Sequence, residues 1–395
     1  MLDFENTKVA FRSRSNNDLK RAEFLFKTLS NPAVVKLGKV FTNAALSMRI
    51  PVGWAVKPTV YKHFVGGETI EKCQPVIQKL AKHNVKSILD YSVEGTDNPE
   101  AIESALEETL HSIDNASRDE NIPFAVFKPT AFGDSLMLQK ASVDSPLSDS
   151  DKKEKTLFFE RIDRLCRSAY EKNVPILIDA EDYAFQNHID HVVEEMMKKY
   201  NHETAIVFNT LQMYRKDRLD YLKESISKAR SGNYFYGVKF VRGAYMEKER
   251  ERAHRMGYED PVQPDKEATD RDYNAALKFS MENLDIVTVF NGTHNEYSSM
   301  YLTTLMKEEN VAKNDNRVWF SQLYGMSDHI SFNRADEGYN VAKYVPYGPV
   351  KHGLPYLIRR AEENTSVKGQ TGRELRLILH EKKRRRGKLN NVNFW

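Results

Sequence analysis

The stretch that decides the fold is Val85–Tyr91, with the sequence VKSILDY. It is a short run rich in apolar and β-branched residues, which is typical of a β-strand. Seven further runs of this kind follow along the chain, at residues 124–128, 175–179, 204–208, 235–241, 286–290, 317–320 and 341–345. The chain therefore carries eight strand candidates.

Amphipathic segments with a helical spacing of apolar residues separate almost all of these runs. Examples are residues 99–117, 152–172, 186–200 and 217–230. Strands that alternate with helices pair in parallel, and eight such units predict an α/β fold, a distorted (β/α)8 TIM-type barrel. A doubly wound open sheet is the alternative.

The rest of the chain flanks this pattern. We predict three regions, namely an N-terminal helical extension at 1–84, the barrel at 85–368 and a basic C-terminal tail at 369–395. Within the extension, residues 18–29 and 34–48 have helical spacing, and residues 50–69 are rich in Pro and Gly, which indicates a loop.

Composition excludes several classes of protein. The net charge of +3 is nearly balanced, which argues against a partner that is a nucleic acid. Two cysteines, Cys73 and Cys166, are too few for a disulfide framework or a structural zinc site, so we expect a reducing, cytoplasmic setting. Because of Asp3 and Glu5 we expect neither a signal peptide nor a transit peptide, and no stretch approaches the roughly 18 apolar residues of a membrane span.

Polar residues follow seven of the eight strand candidates, more than solvation requires. In a (β/α)8 barrel the carboxyl ends of the strands form the mouth where chemistry takes place. The residues at these ends are Lys128, Asp179, Gln212, the segment 239–245, Thr293, His294, Asn295, Gln322 and Tyr344.

Residues 239–245 read KFVRGAY, a strand that runs into a glycine turn. Its cations, Lys239 and Arg242, suit a pyrophosphate or the N1/N5 edge of a flavin. Gln212, Thr293 and His294 offer hydrogen bonds to such a ring or to a ribose, although a lone His at a strand end is more often structural. The chain has no GxGxxG, GxSxG or P-loop motif, so cofactor redox chemistry fits it better than hydrolysis.

Lys128 and Asp179 follow neighbouring strands, so they can pair across the mouth. The pair is either a salt bridge that fixes the mouth, or a cation of a carboxylate site with Asp179 balancing its charge. Asp179 and Glu181 are also candidate ligands of a metal site with His294. The second histidine that such a site needs is missing at metal-ligand spacing, so we expect no metal.

A short helix is predicted at 354–364, after the eighth strand, where it can fold over the mouth. Its two adjacent arginines, Arg359 and Arg360, are accompanied in sequence by Tyr344, Tyr347 and Tyr356. Two guanidinium groups next to aromatic side chains are suited to binding a small, mostly apolar molecule that carries a carboxylate. A solvated charge pair is the alternative.

Three segments together resemble the proline dehydrogenase (proline oxidase) family. They are residues 239–245 (KFVRGAY), residues 293–296 (THNE) and residues 341–364, in the family's order and over roughly residues 85–368. The resemblance is to the monofunctional, mitochondrial-like branch. It implies a barrel with FAD bound non-covalently at its mouth, and oxidation of L-proline to 1-pyrroline-5-carboxylate by hydride transfer to flavin N5. It further implies electron transfer to a membrane quinone, as the first step of proline catabolism to glutamate, and a separate pyrroline-5-carboxylate dehydrogenase downstream.

The resemblance also implies roles for individual residues. Lys239 and Tyr245 would be catalytic. The substrate would be bound by Lys128, Arg359 and Arg360 at its carboxylate and by Tyr245, Tyr344 and Tyr356 around its ring, with Asp179 balancing the cations. The cofactor would be bound by Gln212, Lys239, Val241, Arg242, Gly243, Ala244, Thr293, His294, Asn295, Gln322 and Glu363. The chain departs from the bifunctional members in having Lys239 in place of Arg and Met246 in place of Trp.

Two other functions remain open at this point. One is a dehydrogenase of 4-hydroxyproline or another cyclic imino acid, and the other is a non-catalytic barrel that binds amino acids.

The basic segment at 382–388, with Phe394 and Trp395, is either a disordered, solvated charge run or a peripheral dock on the inner face of a membrane. Because a quinone-coupled enzyme must deliver electrons to a bilayer, we predict the dock.

Overall fold

The computed structural model describes residues 4–31, 33, 36, 60–91, 98–350, 353, 357 and 370–392, with side chains in the last of these segments described from 372 to 387. The predicted helix at 34–48, apart from position 36, lies outside the described residues. So does most of the predicted helix at 354–364. Of that helix only Leu357 is described, and it is buried in an apolar cluster that also contains Leu25 and Phe64.

Eight parallel strands form the centre of the molecule. Their bounds are β1 Val85–Tyr91, β2 Ala125–Phe127, β3 Ile176–Ile178, β4 Val207–Gln212, β5 Tyr236–Val241, β6 Val287–Gly292, β7 Val318–Leu323 and β8 Val341–Tyr347. Hydrogen-bonded neighbours run from β1 to β8 and then back in order to β2.

The sheet closes where its two edge strands meet. Ile88 of β1 forms a parallel bridge with Phe124, just before β2, and Ser87 N donates to Asn121 O over 2.8 Å. The prediction of a (β/α)8 barrel is therefore confirmed, and the open doubly wound sheet is wrong.

Helices pack around the barrel. Those formed by described residues are α1 Thr7–Ala10, α2 Asn16–Leu29, α3 Lys62–Phe64, α4 Ile70–Ala81, α5 Pro99–Arg118, α6 Ser135–Ser142, α7 Asp149–Glu171, α8 Tyr183–Tyr200, α9 Arg218–Gly232, α10 Met246–Met256, α11 Lys266–Met281, α12 Glu296–Glu308, α13 Asp328–Asp336 and α14 Gln370–Val392. Polar caps fix several starts. Ser15 and Ser148, for example, each form a capping box with an aspartate three residues on. None of the helices traced here is both long and apolar enough to cross a bilayer.

The predicted strand at 204–208 is shifted by three residues relative to β4. Asn201 accounts for its start, because the side chain of this asparagine accepts from Ile206 N and Val207 N and so holds the preceding turn. The strand then continues through Asn209, whose buried amide donates to Asp190 over 3.0 Å. β-Propensity alone does not predict such a polar strand, because tertiary contacts satisfy the hydrogen-bonding groups of its side chains.

The barrel interior is filled by aromatic rings at its amino-terminal end. Phe124 lies at the centre of this plug, with ring centroids 5.6 Å from Phe208, 5.1 Å from Phe290 and 5.1 Å from Trp319. The polar residues are therefore left to the opposite, carboxyl end, which is where a barrel of this type carries its site.

The N-terminal helices and α14 pack on each other. Phe11, Leu19 and Phe26 form one apolar cluster with Leu377 and Ile378 of α14. Burial of this shared face stabilises both ends of the described chain together.

The interpretation of the basic segment as a disordered charge run is wrong for residues 370–392, which are helical. Lys382 pairs with Glu23 of α2, and Glu381 accepts from Arg384 and Arg385 over 2.7 Å each. Several of the cations are thus used in packing the helix. The domain boundaries stay a prediction.

A buried ion cluster joins the N-terminal segment to the barrel wall. Asp328, at the start of α13, lies 2.9 Å from the guanidinium of Arg14 and 3.0 Å from Lys343 Nζ of β8. Burial raises the pKa of the Asp328 carboxyl, but the two cations outweigh this effect and hold the pKa far below its ordinary value. The cluster is therefore charged and paired.

We expect Asp328→Asn to lower the free energy of unfolding by about 3–5 kcal/mol, because it leaves Lys343 and Arg14 without their buried carboxylate. The matched control is Asp220→Asn, which removes the partner of Lys223 on the surface and should cost less than about 1 kcal/mol. Urea unfolding of both variants measures the difference. Equal losses would contradict a structural role for the Asp328 cluster.

Candidate active site

Five polar side chains meet at the carboxyl mouth of the barrel. Lys239 Nζ of β5 lies 2.5 Å from Asp179 Oδ1 and donates to the hydroxyl of Tyr344 over 2.8 Å. Lys128 Nζ lies 2.8 Å from Asp90 Oδ1 and 3.8 Å from Asp179 Oδ2. Asp179 thus joins two lysines, and Tyr344 donates to the same carboxylate over 3.3 Å. We call these five residues the mouth cluster.

Strand alternation aims these side chains inward. Val238 and Phe240, on either side of Lys239, belong to the core between sheet and helices, so Lys239 points into the barrel. Tyr344 belongs to the interior cluster, whereas its neighbour Lys343 pairs with Asp328 outside the sheet. One position along β8 thus separates a residue of the mouth, Tyr344, from a lysine of the barrel wall, Lys343.

The mouth cluster balances its charges while it is removed from water. Burial lowers the pKa of the Lys239 ammonium below its ordinary value, although the neighbouring Asp179 opposes this shift. Burial also acts to lower the pKa of Lys128, but Asp90 and Asp179 outweigh it and raise that pKa above its ordinary value. Lys239 is therefore the less fully compensated of the two cations.

The predicted pairing of Lys128 with Asp179 is confirmed at 3.8 Å, but Asp90 is the closer partner of Lys128. Asp90 is not among the site residues predicted from the sequence. The signal was available, because Asp90 is an acid near the end of the first apolar run, in the position that was noted for the other strands. Of the eight strands, the mouth cluster thus draws on β1, β5, β8 and the residues just after β2 and β3.

A second group of polar residues surrounds Arg242, next to the end of β5. Its guanidinium lies 2.6 Å from Asp270 of α11, donates to Thr293 Oγ1 over 2.6 Å and donates to Ser298 Oγ over 2.9 Å. It also stacks 4.4 Å from the centroid of the Tyr273 ring. The predicted cation of the cofactor site is therefore fixed by four neighbours.

Thr293 links two further predicted cofactor residues, Asn295 and Gln322, to Arg242. Asn295 N donates to Thr293 Oγ1 over 3.1 Å, and the Gln322 amide donates to Thr293 O over 3.0 Å. His294 Nδ1 lies 2.9 Å from the hydroxyl of Ser327. The loops after β6 and β7 are therefore held together.

Gln212 and Glu181 occupy the rim between β3 and β4. The Gln212 amide donates to Glu181 O over 2.7 Å, and the Glu181 carboxylate accepts from Thr130 Oγ1 over 2.8 Å. Burial raises the pKa of the Glu181 carboxyl to about 7. No group of acidic, His or Cys residues suited to a metal ion is found in the described part of the chain.

The turn after β5 requires a glycine at position 243. Gly243 has φ +117°, and a Cβ there would lie 1.7 Å from the ring of Tyr214. Val241 O and Arg242 O accept from Met213 N and Tyr214 N, each over 2.9 Å, which fixes the turn against β4. Gly243 and Ala244 are exposed, so their backbone is accessible.

The structure does not place every predicted residue. Tyr245 is half-buried at the start of α10, where Lys248 Nζ lies 5.8 Å from its ring centroid. Tyr356, Arg359, Arg360 and Glu363 lie outside the described residues. Their roles stay predictions.

We expect Gly243→Ala to cost about 1–3 kcal/mol of stability more than Gly257→Ala, because only position 243 adds an overpacking clash with Tyr214. Gly257 is the matched control, since its φ is also positive, at +72°, but a Cβ there meets nothing within 4 Å. Thermal or urea unfolding of both variants checks this. Similar losses would mean that the turn can move away from Tyr214.

Comparison of the amino-acid sequence with known proteins indicates the family of this chain. The sequence profile described as "Proline dehydrogenase" matches residues 73–373. The chain is 36% identical over 322 residues to the carbapenem antibiotics biosynthesis protein CarD of Pectobacterium carotovorum subsp. carotovorum, covering 82% of this chain and 83% of that one. It is 31% identical over 430 residues to the mitochondrial proline dehydrogenase 1 of Dictyostelium discoideum, covering 97% and 75%. It is also 31% identical over 419 residues to the hydroxyproline dehydrogenase of Xenopus laevis, covering 95% and 88%.

Among solved structures, the chain resembles proline utilization A (PutA) from Bdellovibrio bacteriovorus, inactivated by N-propargylglycine, with a TM-score of 0.71 and 21% identity. The match covers 92% of this chain and 38% of that one, so this chain spans well under half the length of PutA. At this identity the likeness supports the barrel fold. The family assignment rests on the profile, which covers most of the chain, and on the relatives above. It confirms the resemblance and the expectation of an enzyme: this chain belongs to the proline dehydrogenase family.

Proposed function

We propose that this protein oxidises L-proline to 1-pyrroline-5-carboxylate with FAD as its cofactor. The observation that carries the proposal is the mouth cluster, in which Lys239, Asp179 and Tyr344 contact one another at the carboxyl end of the barrel of a proline dehydrogenase family member. This is where a barrel enzyme assembles its reacting groups.

The residues at the mouth fit a flavin dinucleotide by their chemistry. Thr210 and Ser321 lie two positions after the interior residues Phe208 and Trp319, on the same face of β4 and β7, and their hydroxyls are buried without a hydrogen-bond partner among the described residues. The interior thus retains unmet hydrogen-bonding capacity beside Lys239, which pairs in register with Thr210. A polar ring system next to a cation matches these donors.

We infer which residues would hold the two parts of this cofactor. Arg242, Thr293 and the accessible backbone of Gly243 and Ala244 offer a cation, a hydroxyl and amides to a pyrophosphate. Lys239 and Gln212 would face the flavin ring. The remaining predicted contacts, from Val241, His294, Asn295, Gln322 and Glu363, are retained in this proposal.

FAD, when bound, supplies the acceptor of the hydride that leaves C5 of proline. The chain supplies position and charge. Lys128, Arg359 and Arg360 would bind the carboxylate, and Tyr245, Tyr344 and Tyr356 would enclose the ring, so that the substrate is held in one orientation. Asp179 and Asp90 keep the two lysines of the mouth paired before the substrate arrives.

Tyr344 favours proline over 4-hydroxyproline. Its hydroxyl accepts from Lys239 and donates to Asp179, so both of its strongest hydrogen bonds are already made within the mouth cluster. It presents its ring to the interior, where the ring centroid of Phe290 lies 6.4 Å away. A substrate hydroxyl against this wall would lose water without gaining a partner, which is costly. The alternative, a hydroxyproline dehydrogenase, is supported by the relative of that name.

Electron transfer to a membrane quinone and a separate pyrroline-5-carboxylate dehydrogenase complete the proposal, and both come from the family resemblance.

We also propose a peripheral membrane dock on α14. With Lys382, Arg384 and Arg385 engaged in ion pairs, the exposed cations among residues 382–387 are Lys383 and Arg386, and Leu379 on the same helix is also exposed. Basic and apolar side chains together suit an anionic bilayer surface.

Steady-state turnover with a dye as electron acceptor tests the function. We expect the FAD-loaded protein to oxidise L-proline with a kcat/KM at least about tenfold above that for 4-hydroxyproline, since a hydroxyl against an apolar wall is discriminated by about that much or more. A reversed preference would assign the protein to the hydroxyproline enzymes. Binding of proline without turnover, in protein that holds FAD, would favour a non-catalytic binding barrel.

A further inference from the structure

Helix α14 lies outside the barrel, yet two adjacent residues near its start contact the loops of the mouth. Arg373 Nε and Nη2 donate to the two carboxylate oxygens of Glu296, over 2.7 and 3.2 Å. Glu374 is buried, and its carboxylate accepts from Ser327 N. Arg373 thus contacts the segment that follows β6, and Glu374 contacts the loop that follows β7.

Arg373 acts on the segment that carries the predicted cofactor residues. Glu296 begins α12, two positions after His294, and also accepts from His329 Nε2 over 2.9 Å. Burial raises the pKa of the Glu296 carboxyl, but hydrogen bonds from His329 and Arg373 outweigh it and lower the pKa to about 2. The two-pronged pair with Arg373 is therefore a charged one, the strongest type of such contact.

Glu374 acts on His294 through Ser327. Ser327 has φ +49° and ψ +42°, a left-handed conformation that a non-glycine residue adopts only when its surroundings hold it there. Its backbone N–H is bound by Glu374, and its hydroxyl lies 2.9 Å from His294 Nδ1. The orientation of the His294 ring therefore depends on a turn that α14 maintains.

Helix α14 is also held in place by contacts other than those of Arg373 and Glu374 with the loops of the mouth. Leu377 and Ile378 are buried against α2, Lys382 pairs with Glu23, and Arg385 donates to the backbone of Phe11 over 2.9 Å. Arg373 and Glu374 thus project from a fixed support, which is what a positioning contact requires.

We propose that Arg373 and Glu374 are positioning residues of the cofactor pocket, which set the loop 293–296 and the His294 ring for binding of FAD. This inference rests on the proposed function. The profile match ends at residue 373, so Glu374 and the rest of α14 lie beyond the residues that the profile covers.

The alternative is that α14 only stabilises the fold, and the chain offers a matched control for it. Arg376 lies on the same helix and pairs with Glu5 over 2.9 Å, as Arg373 also does, but its described ion pair does not involve Glu296. Arg376→Met therefore removes the same charge and the same kind of contact with the N-terminal segment, and leaves the loop 293–296 held.

The test is the dissociation constant for FAD, measured by titrating FAD into the full-length apoprotein and following flavin fluorescence. The variants are Arg373→Met, Glu374→Leu, Glu374→Gln and the control Arg376→Met. We expect Arg373→Met and Glu374→Leu to raise the constant at least about tenfold, as loss of a supporting contact does in other sites. Arg376→Met should leave it unchanged, and Glu374→Gln, which keeps an acceptor oxygen for Ser327 N, should restore binding.

Unfolding of each apoprotein, measured in parallel, separates affinity from stability. Equal FAD affinity in Arg373→Met and Arg376→Met would overturn the inference, as would equal weakening by Glu374→Gln and Glu374→Leu. Should Glu374→Leu fail to fold, the Arg373→Met and Arg376→Met pair decides alone. A wild-type chain that binds no FAD would overturn the proposed function as well, and it would show this before any variant is compared.

Discussion

The structure of the mouth depends on burying the ammonium of Lys239 beside the carboxylate of Asp179, 2.5 Å apart. Removing two ions from water costs several kcal/mol each, and their attraction offsets that cost only when further hydrogen bonds complete the geometry. Tyr344 and Lys128 supply those contacts around Asp179. The members of the mouth cluster are therefore held by one another, the lysines and aspartates through their charges and Tyr344 through its hydrogen bonds.

The barrel makes this arrangement possible by separating two charged layers. Inward positions of β5 and β8 carry Lys239 and Tyr344, and the outward Lys343 is paired with Asp328 on α13. The aromatic plug around Phe124 fills the amino-terminal end of the interior, and the polar groups of the mouth cluster lie towards the carboxyl end. Arg242 forms a second, separate polar group beside this opening, suited to the anionic part of a dinucleotide.

Much of this was predictable from the sequence, since strand periodicity gives β1 at its observed bounds and adjacent strand ends predict the Lys128–Asp179 pair. The position of β4 was not predictable from the sequence, because the Asn201 side chain holds the turn before its start. Asp270 and Ser298, which hold Arg242, lie on helices where nothing in the pattern distinguishes them from solvated residues. The pairing of Lys382 with Glu23 joins residues 359 positions apart, and no local signal reports a contact at that separation.

The central claim is that the mouth cluster binds proline beside FAD and that Lys239 promotes the transfer of hydride. It is tested by mixing the FAD-loaded protein anaerobically with L-proline and following the loss of the absorbance of the oxidised flavin. The account predicts prompt bleaching in the wild type, and bleaching slowed at least about a hundredfold in Lys239→Met, with Lys239→Arg close to wild type because it keeps the charge. A flavin that stays oxidised in the wild type, or an unchanged rate in Lys239→Met with FAD fully bound, would contradict it.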